Sequence, residues 1–191
     1  MNRRTFCKVG VGSLAAGAAA TSLGGLAAAP PTAANPNLDP DVFAAEALRV
    51  FLPEKKTCGE AMLCAGCKAL GIRSELIPDI AMGSGAGFGR QGDVCGIVSG
   101  SAMVLSLAAA RKHTEYFPKR NAAWKATSEF YLAFAKEFGS VRCRPVSGLD
   151  LTTQEGMARL KAGVKKNKCS KIVARAARML AKALQEIERS A

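Results

Sequence analysis

The sequence predicts an all-α fold, a compact helical bundle packed around a buried central helix at about residues 94–112. Apolar residues recur at helical spacing between glycine and proline positions, and no segment alternates apolar with polar residues as a half-buried strand does. Aromatic residues make up only 6% of a chain that is 49% hydrophobic, so the core is built from small side chains that suit closely packed helices. A length of 191 residues suits one domain.

Residues 1–29 have the pattern of a twin-arginine signal peptide. The pair Arg3-Arg4 precedes an uncharged, Gly/Ala-rich stretch from Val9 to Ala29. This stretch is less hydrophobic than a Sec signal or a membrane anchor. Cleavage is expected between Ala27 and Ala34. We therefore expect a periplasmic or otherwise exported protein that has the twin-arginine export machinery as a partner.

A linker and two helices are expected next. Residues 30–40 hold four prolines and predict a disordered linker, so that the helical domain spans residues 41–191. Asp39 or Asp41 is expected to cap a helix that runs to about Leu52. Its predicted apolar stripe consists of Val42, Ala45, Leu48, Phe51 and Leu52. A second helix is expected from Cys58 to about Leu70, with Gly71 as its C-terminal cap.

The central helix follows a glycine-rich loop at residues 83–92. Asp93 is expected to cap this helix, which runs from Val94 to about Lys112 and is apolar on nearly every face. Gly96 and Gly100 leave room for a closely packed neighbour, and the helix is short for a membrane span. The loop also matches a GxGxxG pattern, but a dinucleotide site needs a preceding strand, which the sequence lacks.

The remaining helices are less strongly marked. One is expected over Asn121–Phe138, with Gly139 at its end. Its expected bulky packing residues are Trp124, Tyr131, Phe134 and Phe138. A short helix is expected over Thr153–Gly163. The last helix spans about Ser170 to Arg189.

Four of the six cysteines in the predicted domain occupy settings that stabilise thiolates. Cys58, Cys95 and Cys169 lie at or near the starts of predicted helices, and Cys143 lies in a loop between two arginines. Helix N-termini and neighbouring cations lower the pKa of a thiol. Buried structural cysteines or plain disulfides are the alternative, because exported proteins often form disulfides.

Cys64 and Cys67 form a separate pair at i, i+3 on one face of the second helix. They are candidates for additional metal ligands or for a strained disulfide. The segment Cys64-Ala-Gly-Cys67-Lys68 has Lys where a haem attachment motif has His, and no strand precedes it as in a thioredoxin-like dithiol.

The sequence resembles a family of redox-active proteins named for the cysteine pattern C_GCAxxG_C_C. The resemblance rests on Cys58-Gly-Glu-Ala-Met, on residues 87–100 around Cys95, on residues 134–144 around Cys143, and on Cys169 followed by a helical tail. It covers roughly residues 43–184, with Ile97 where the pattern has Ala. It implies that these four cysteines form a shared set with a redox or prosthetic-group role, and that a partner is an oxidoreductase or a transporter component. The resemblance supplies no reaction and no catalytic residue.

Three functions are compatible with these observations. The first is a redox or electron-transfer accessory protein that binds an iron–sulfur cluster or another metal through Cys58, Cys95, Cys143 and Cys169. The twin-arginine leader favours it, since that route exports folded proteins. The alternatives are a disulfide-stapled, cofactor-free accessory or binding module and a thiol–disulfide oxidoreductase.

The basic character of the chain does not point to a nucleic-acid partner. The formal charge is +12, and much of it lies between Lys161 and Arg178. No nucleic-acid motif with stacking aromatics accompanies this stretch, so we expect a solvated basic face, with docking to a polyanion or to anionic lipid as the alternative.

Overall fold

The computed structural model describes residues 37–189, which form an all-α fold as predicted. The predicted signal peptide and residues 30–36 of the predicted linker lie outside the described residues. Among residues 37–189 there is no strand, and Val94 and Arg142 form an isolated antiparallel bridge. The α-helices are α1 (Pro40–Phe51), α2 (Cys58–Ala69), α3 (Gly85–Phe88), α4 (Gly96–Lys112), α5 (Tyr116–Phe138), α6 (Cys143–Ser147), α7 (Gln154–Arg159) and α8 (Ser170–Arg189). A 3-10 segment (Asp79–Ser84) precedes α3, and a π-helical segment (Leu160–Cys169) precedes α8.

The α4 helix is the centre of the bundle, as predicted. It packs against α2, α5 and α8, while α1 packs against α2 and α8. Its N-terminus differs from the prediction, because Asp93 does not cap it. Cys95 occupies the N-cap position, and the Asp93 side chain pairs instead with Arg142 at 3.1 Å.

The α1 helix has the predicted cap but not the predicted buried face. Asp39 Oδ1 accepts hydrogen bonds from the backbone N–H groups of Asp41 (2.7 Å) and Val42 (3.4 Å), which satisfies free donors at the helix start. The predicted stripe is wrong for Val42, which is 65% exposed, and for Ala45, whereas Phe51 is buried as predicted. The buried residues of α1 are Phe43, Ala44, Ala47, Val50 and Phe51. The reason is that α1 lies against both α2 and α8, which together bury a face offset by about one residue.

The α5 helix begins at Tyr116, five residues before the predicted start. Phe134 is buried as predicted, but Trp124 is 63% exposed and Tyr131 is 39% exposed, so the prediction that they pack in the core is wrong. The α5 helix rests mainly on α4 and buries a narrow face that contains Phe130 and Phe134. Gly139, at φ 76°, ends the helix as predicted.

The C-terminal part follows the prediction at its end but not at its start. The short helix expected over Thr153–Gly163 is α7, and the chain then continues as the π-helical segment rather than stopping at Gly163. The α8 helix has the predicted bounds, and its buried residues include Val173, Ala176 and Leu180. None of the helices in residues 37–189 has the length and hydrophobicity needed to cross a bilayer.

Candidate functional site

Cys58, Cys95, Cys143 and Cys169 line one cavity of about 170 Å³. Its other walls are largely apolar, and they include Phe51, Ile97, Leu151 and Ile172. Cys95 and Cys143 are buried, whereas Cys58 and Cys169 are partly exposed. The expectation that the four cysteines converge in space is therefore met, and the sequence pattern marks one site rather than four separate positions.

Two glycines of α4 bring Cys58 next to Cys95. A Cβ atom added at Gly96 would lie 2.7 Å from Cys58 Sγ and 3.0 Å from the Gly59 backbone nitrogen. A Cβ atom at Gly100 would lie 2.5 Å from the Gly59 carbonyl oxygen. The first turns of α2 and α4 therefore pack backbone against backbone, at a distance that no larger residue allows. This contact holds the starts of the two helices, and their cysteines, together.

A short stretch of backbone pairing brings Cys143 to Cys95. The Cys95 N–H donates to the Val141 carbonyl (2.8 Å), and the Cys143 N–H donates to the Asp93 carbonyl (2.7 Å). These bonds flank the bridge between Val94 and Arg142. Because the two segments run antiparallel at this point, Cys95 and Cys143 come to the same end of the bundle.

The Cys58 thiol lies in a setting that favours its thiolate. A hydrogen bond from Cys95 lowers the pKa of Cys58 to about 7, and the backbone N–H groups of Ala86, Gly59 and Cys58 itself contribute in the same direction, against the opposing effect of burial. Ala86 has φ 58°, a left-handed conformation that is rare for alanine. The glycine-rich loop therefore closes over Cys58, where it supplies a backbone donor.

Cys95 is the shared member of the cluster. Hydrogen bonds to Cys143 and Cys58, together with burial, raise the pKa of Cys95 well above its usual range, so this thiol keeps its proton. One S–H group donates to one acceptor at a time, and Cys95 has a sulfur acceptor on each side. The expectation of a thiolate at Cys95 is wrong, because its neighbours take the negative charge instead.

Cys143 favours its thiolate for a reason other than the predicted one. The hydrogen bond from Cys95 lowers the pKa of Cys143, and the Ser147 hydroxyl adds to the effect. The flanking arginines are not among the causes of this shift. Arg142 pairs with Asp93 at 3.1 Å and Arg144 with Asp150 at 2.8 Å, so both guanidinium groups are held by carboxylates.

Cys169 faces the same cavity but is not an activated thiol. Burial raises the pKa of Cys169 to about 11, and the nearby Cys58 and Cys143 add to the shift. The predicted helix start is absent here, since the π-helical segment continues into α8 without a break. Lys165 lies beside it, with Nζ 3.1 Å from the Lys56 carbonyl oxygen and 4.6 Å from the centre of the Phe51 ring. It is a cation on the cavity wall.

Cys64 and Cys67 lie on α2 outside this cluster, and neither lines the cavity. Burial raises the pKa of both thiols, to about 11 for Cys67. His113, which follows α4, is exposed. All six cysteines among residues 37–189 are free thiols in this structure.

The cluster has the donor chemistry for a soft metal but not the arrangement for one. Four thiols without a histidine or carboxylate suit an iron–sulfur cluster or a thiophilic ion. Within residues 37–189, however, no group of three or more His, Cys, Asp or Glu side chains is disposed to hold a metal ion. The cysteines as they stand are better placed to react with one another.

One comparison with known proteins identifies a family for this chain. A family model matches residues 56–183, about two-thirds of the chain, and includes all the cysteines of the cluster. The chain belongs to the C_GCAxxG_C_C family. That family is described as "Putative redox-active protein". No curated protein and no solved structure matches the chain.

Three residues of the site were not identified from the sequence. Lys165 belonged to a basic stretch that was interpreted as a solvated face, and Ala86 and Ser147 carry no sequence signal of their own. Lys165 and Ala86 act through contacts between segments that are distant along the chain, whereas Ser147 acts on Cys143 within the same short helix, α6. The glycine spacing at Gly96 and Gly100 was the one signal that located the packing correctly.

Proposed function

We propose that the protein is a thiol-based redox protein in which Cys95 forms a disulfide with Cys58 or with Cys143 as it exchanges two electrons with a disulfide substrate. The observation that carries this proposal is the position of Cys95, which lines one cavity with Cys58 and Cys143 and interacts with both of these thiols. A disulfide requires its two sulfur atoms to approach to about 2 Å, and thiols that share one cavity are the candidates for it.

The exchange balances as a thiol–disulfide reaction. The Cys58 thiolate attacks one sulfur of the substrate disulfide, which forms a mixed disulfide and releases one substrate thiolate. Cys95 gives its proton to that thiolate and attacks Cys58 Sγ, which releases the second substrate thiolate. The products are the Cys58–Cys95 disulfide and the reduced substrate, so two electrons have passed to the substrate.

Cys58 is the better candidate for the first attack. It begins α2, where backbone N–H groups stabilise its negative charge and lower its pKa to about 7. Cys143 is placed to exchange with the Cys58–Cys95 disulfide. The three thiols thereby provide two alternative pairings that share Cys95.

A second candidate function is supported by Cys169. This fourth thiol lines the same cavity as Cys58, Cys95 and Cys143. It has no role in the dithiol mechanism described above. An iron–sulfur cluster or another thiolate-bound metal would use Cys58, Cys95, Cys143 and Cys169 together. A cluster would supply one-electron transfer.

Cysteine-to-serine variants distinguish the two candidates, because the candidates need different sets of residues. The full chain is purified anaerobically, its metal content and visible spectrum are recorded, and its thiols are titrated against a dithiothreitol redox buffer. We expect colourless protein with a two-electron transition that Cys95→Ser abolishes and that Cys58→Ser and Cys143→Ser shift in potential. Cys169→Ser and the control Cys64→Ser should leave the transition unchanged. Bound metal that is lost in all four cluster variants, including Cys169→Ser, would replace the dithiol proposal with the metal site.

We also propose that the protein works outside the cytoplasm, after export through the twin-arginine machinery. The leader pattern at Arg3-Arg4 and the following uncharged stretch support this. The resemblance to the family supports an oxidoreductase or a transporter component as the redox partner.

A further inference from the structure

The first half of α5 exposes an unusual set of aromatic side chains. The chain has one tryptophan and two tyrosines, and all three lie exposed on this helix. Tyr116 is 68% exposed, Phe117 and Trp124 are each 63% exposed, and Tyr131 is 39% exposed. Large aromatic side chains that are exposed to solvent at this density are typical of a binding surface.

Three of these rings form a line along the helix, which we call the aromatic stripe: Phe117, Trp124 and Tyr131. They are spaced by seven residues, which is nearly two full helical turns, so they point to the same side. The stripe is about 21 Å long at the rise of an α-helix. The stripe forms a convex ridge, which fits a partner surface that can deform or that contains a groove.

A cation is built into this ridge. The Arg120 guanidinium carbon lies 4.5 Å from the centre of the Trp124 ring, 4.9 Å from that of Phe117 and 5.9 Å from that of Tyr116. Stacking holds the charge against the faces of the rings. The charge and the apolar surface are therefore presented together.

The charges beside the ridge favour a negatively charged partner. Arg120 and Lys125 lie next to the stripe, and Glu129 is the acidic residue within its length, residues 117–131. A second copy docked through the same face would place one basic surface against another, which disfavours self-association. Aromatic rings flanked by lysine and arginine are typical of segments that lie in the interface of an anionic bilayer.

We propose that the aromatic stripe docks the protein on the surface of a bilayer that contains anionic lipid. The rings enter the boundary between headgroups and acyl chains, and Arg120 together with Lys125 binds lipid phosphates. The helix lies in the plane of the membrane and does not cross it. This inference is independent of the cysteine chemistry.

Trp124 is itself the probe for the test, because it is the only tryptophan of the chain. The full chain is mixed at low ionic strength with vesicles of phosphatidylglycerol and phosphatidylcholine that carry brominated acyl chains, and quenching of Trp124 is measured. Attachment of the leader alone would leave Trp124 in water and unquenched. We expect quenching with the anionic vesicles, little with phosphatidylcholine alone, and loss of quenching at high salt.

Variants that keep Trp124 test the contributions separately. Phe117→Ser with Tyr131→Ser should lower the partition coefficient by about tenfold or more. Arg120→Gln with Lys125→Gln should lower it by about fivefold for each charge removed. The matched control is Val42→Ser with Leu76→Ser, which removes apolar side chains of similar exposure, 65% and 68%, and should have no effect.

Three results would overturn the proposal. The first is a Trp124 that stays unquenched, or that is quenched equally by neutral vesicles. The second is protection of Trp124 from iodide without lipid, which would assign the stripe to a second copy of the chain. The third is equal protection by polyglutamate, which would point to an acidic protein instead of a membrane.

Discussion

The contact between α2 and α4 makes Gly100→Ala the most direct test of how the cysteine site is built. The added Cβ would lie 2.5 Å from the Gly59 carbonyl oxygen and 3.0 Å from Gly59 Cα, whereas ordinary contacts begin at 3.4 Å. Both neighbours are backbone atoms, so α2 must move away from α4 by up to about 0.9 Å. Such overpacking costs about 1–3 kcal/mol. Alanine offsets up to about 1 kcal/mol through its helix propensity. We expect a net loss of up to about 2 kcal/mol in the free energy of unfolding.

The measurement is equilibrium unfolding in urea under reducing conditions, followed by far-ultraviolet circular dichroism. Gly83→Ala is the matched control, because its Cβ would have no atom within 4 Å, and it should unfold like the unaltered protein. The alkylation rate of Cys58 is a second readout, since separating α2 from α4 should raise the pKa of Cys58. A Gly100→Ala protein with unchanged stability and unchanged Cys58 reactivity would refute the packing argument.

Four further predictions concern three separate parts of the chain. Ser101 is fully buried in α4 and its hydroxyl has no hydrogen-bond partner among residues 37–189, so Ser101→Ala should raise the free energy of unfolding by about 1 kcal/mol; a loss of stability would contradict this. The pKa of Cys58, at about 7 against 9.0 for an ordinary thiol, should make its alkylation rate rise with pH to half its maximum near pH 7. Between pH 7 and 9 the unfolded chain holds more protons at Cys58 than the folded chain, so the free energy of unfolding should rise with pH. This rise should be less steep in Cys58→Ser, and an equal slope in the two proteins would argue against the lowered pKa. Arg3→Lys with Arg4→Lys should leave full-length protein in the cytoplasm on fractionation, and processed protein outside it would contradict the twin-arginine prediction.

Local signals in the sequence located the helices better than they located the faces those helices bury. Asp39 before Pro40 and Gly139 after Phe138 are signals read from neighbouring residues, and the structure has both ends where they indicate. Val42 and Trp124 are apolar at helical spacing yet exposed. Which apolar stripe is buried depends on the positions of α2, α4 and α8, and these positions come from contacts across the bundle.

The four cysteines of the cluster show the same division. Their settings near helix starts and the family resemblance selected the right set, and Gly96 and Gly100 indicated a close helix contact. The expectation that all four favour the thiolate failed for Cys95 and Cys169. The prediction took the pKa of each thiol from its position at a helix start, although in the cluster the neighbouring cysteines change the pKa more than the helix does.

The sequence alone determined the helical class, the central α4, the glycines that allow it to pack closely, and the identity of the clustered cysteines. These features depend on residue type and spacing along the chain. Only the tertiary structure decided that Cys95 stands between Cys58 and Cys143, that the loop at Ala86 supplies a donor to Cys58, and that the rings of α5 remain in solvent. Hydrogen bonding between thiols, desolvation and exposure depend on distances between segments that are far apart in the sequence. Those distances exist only once the helices have packed.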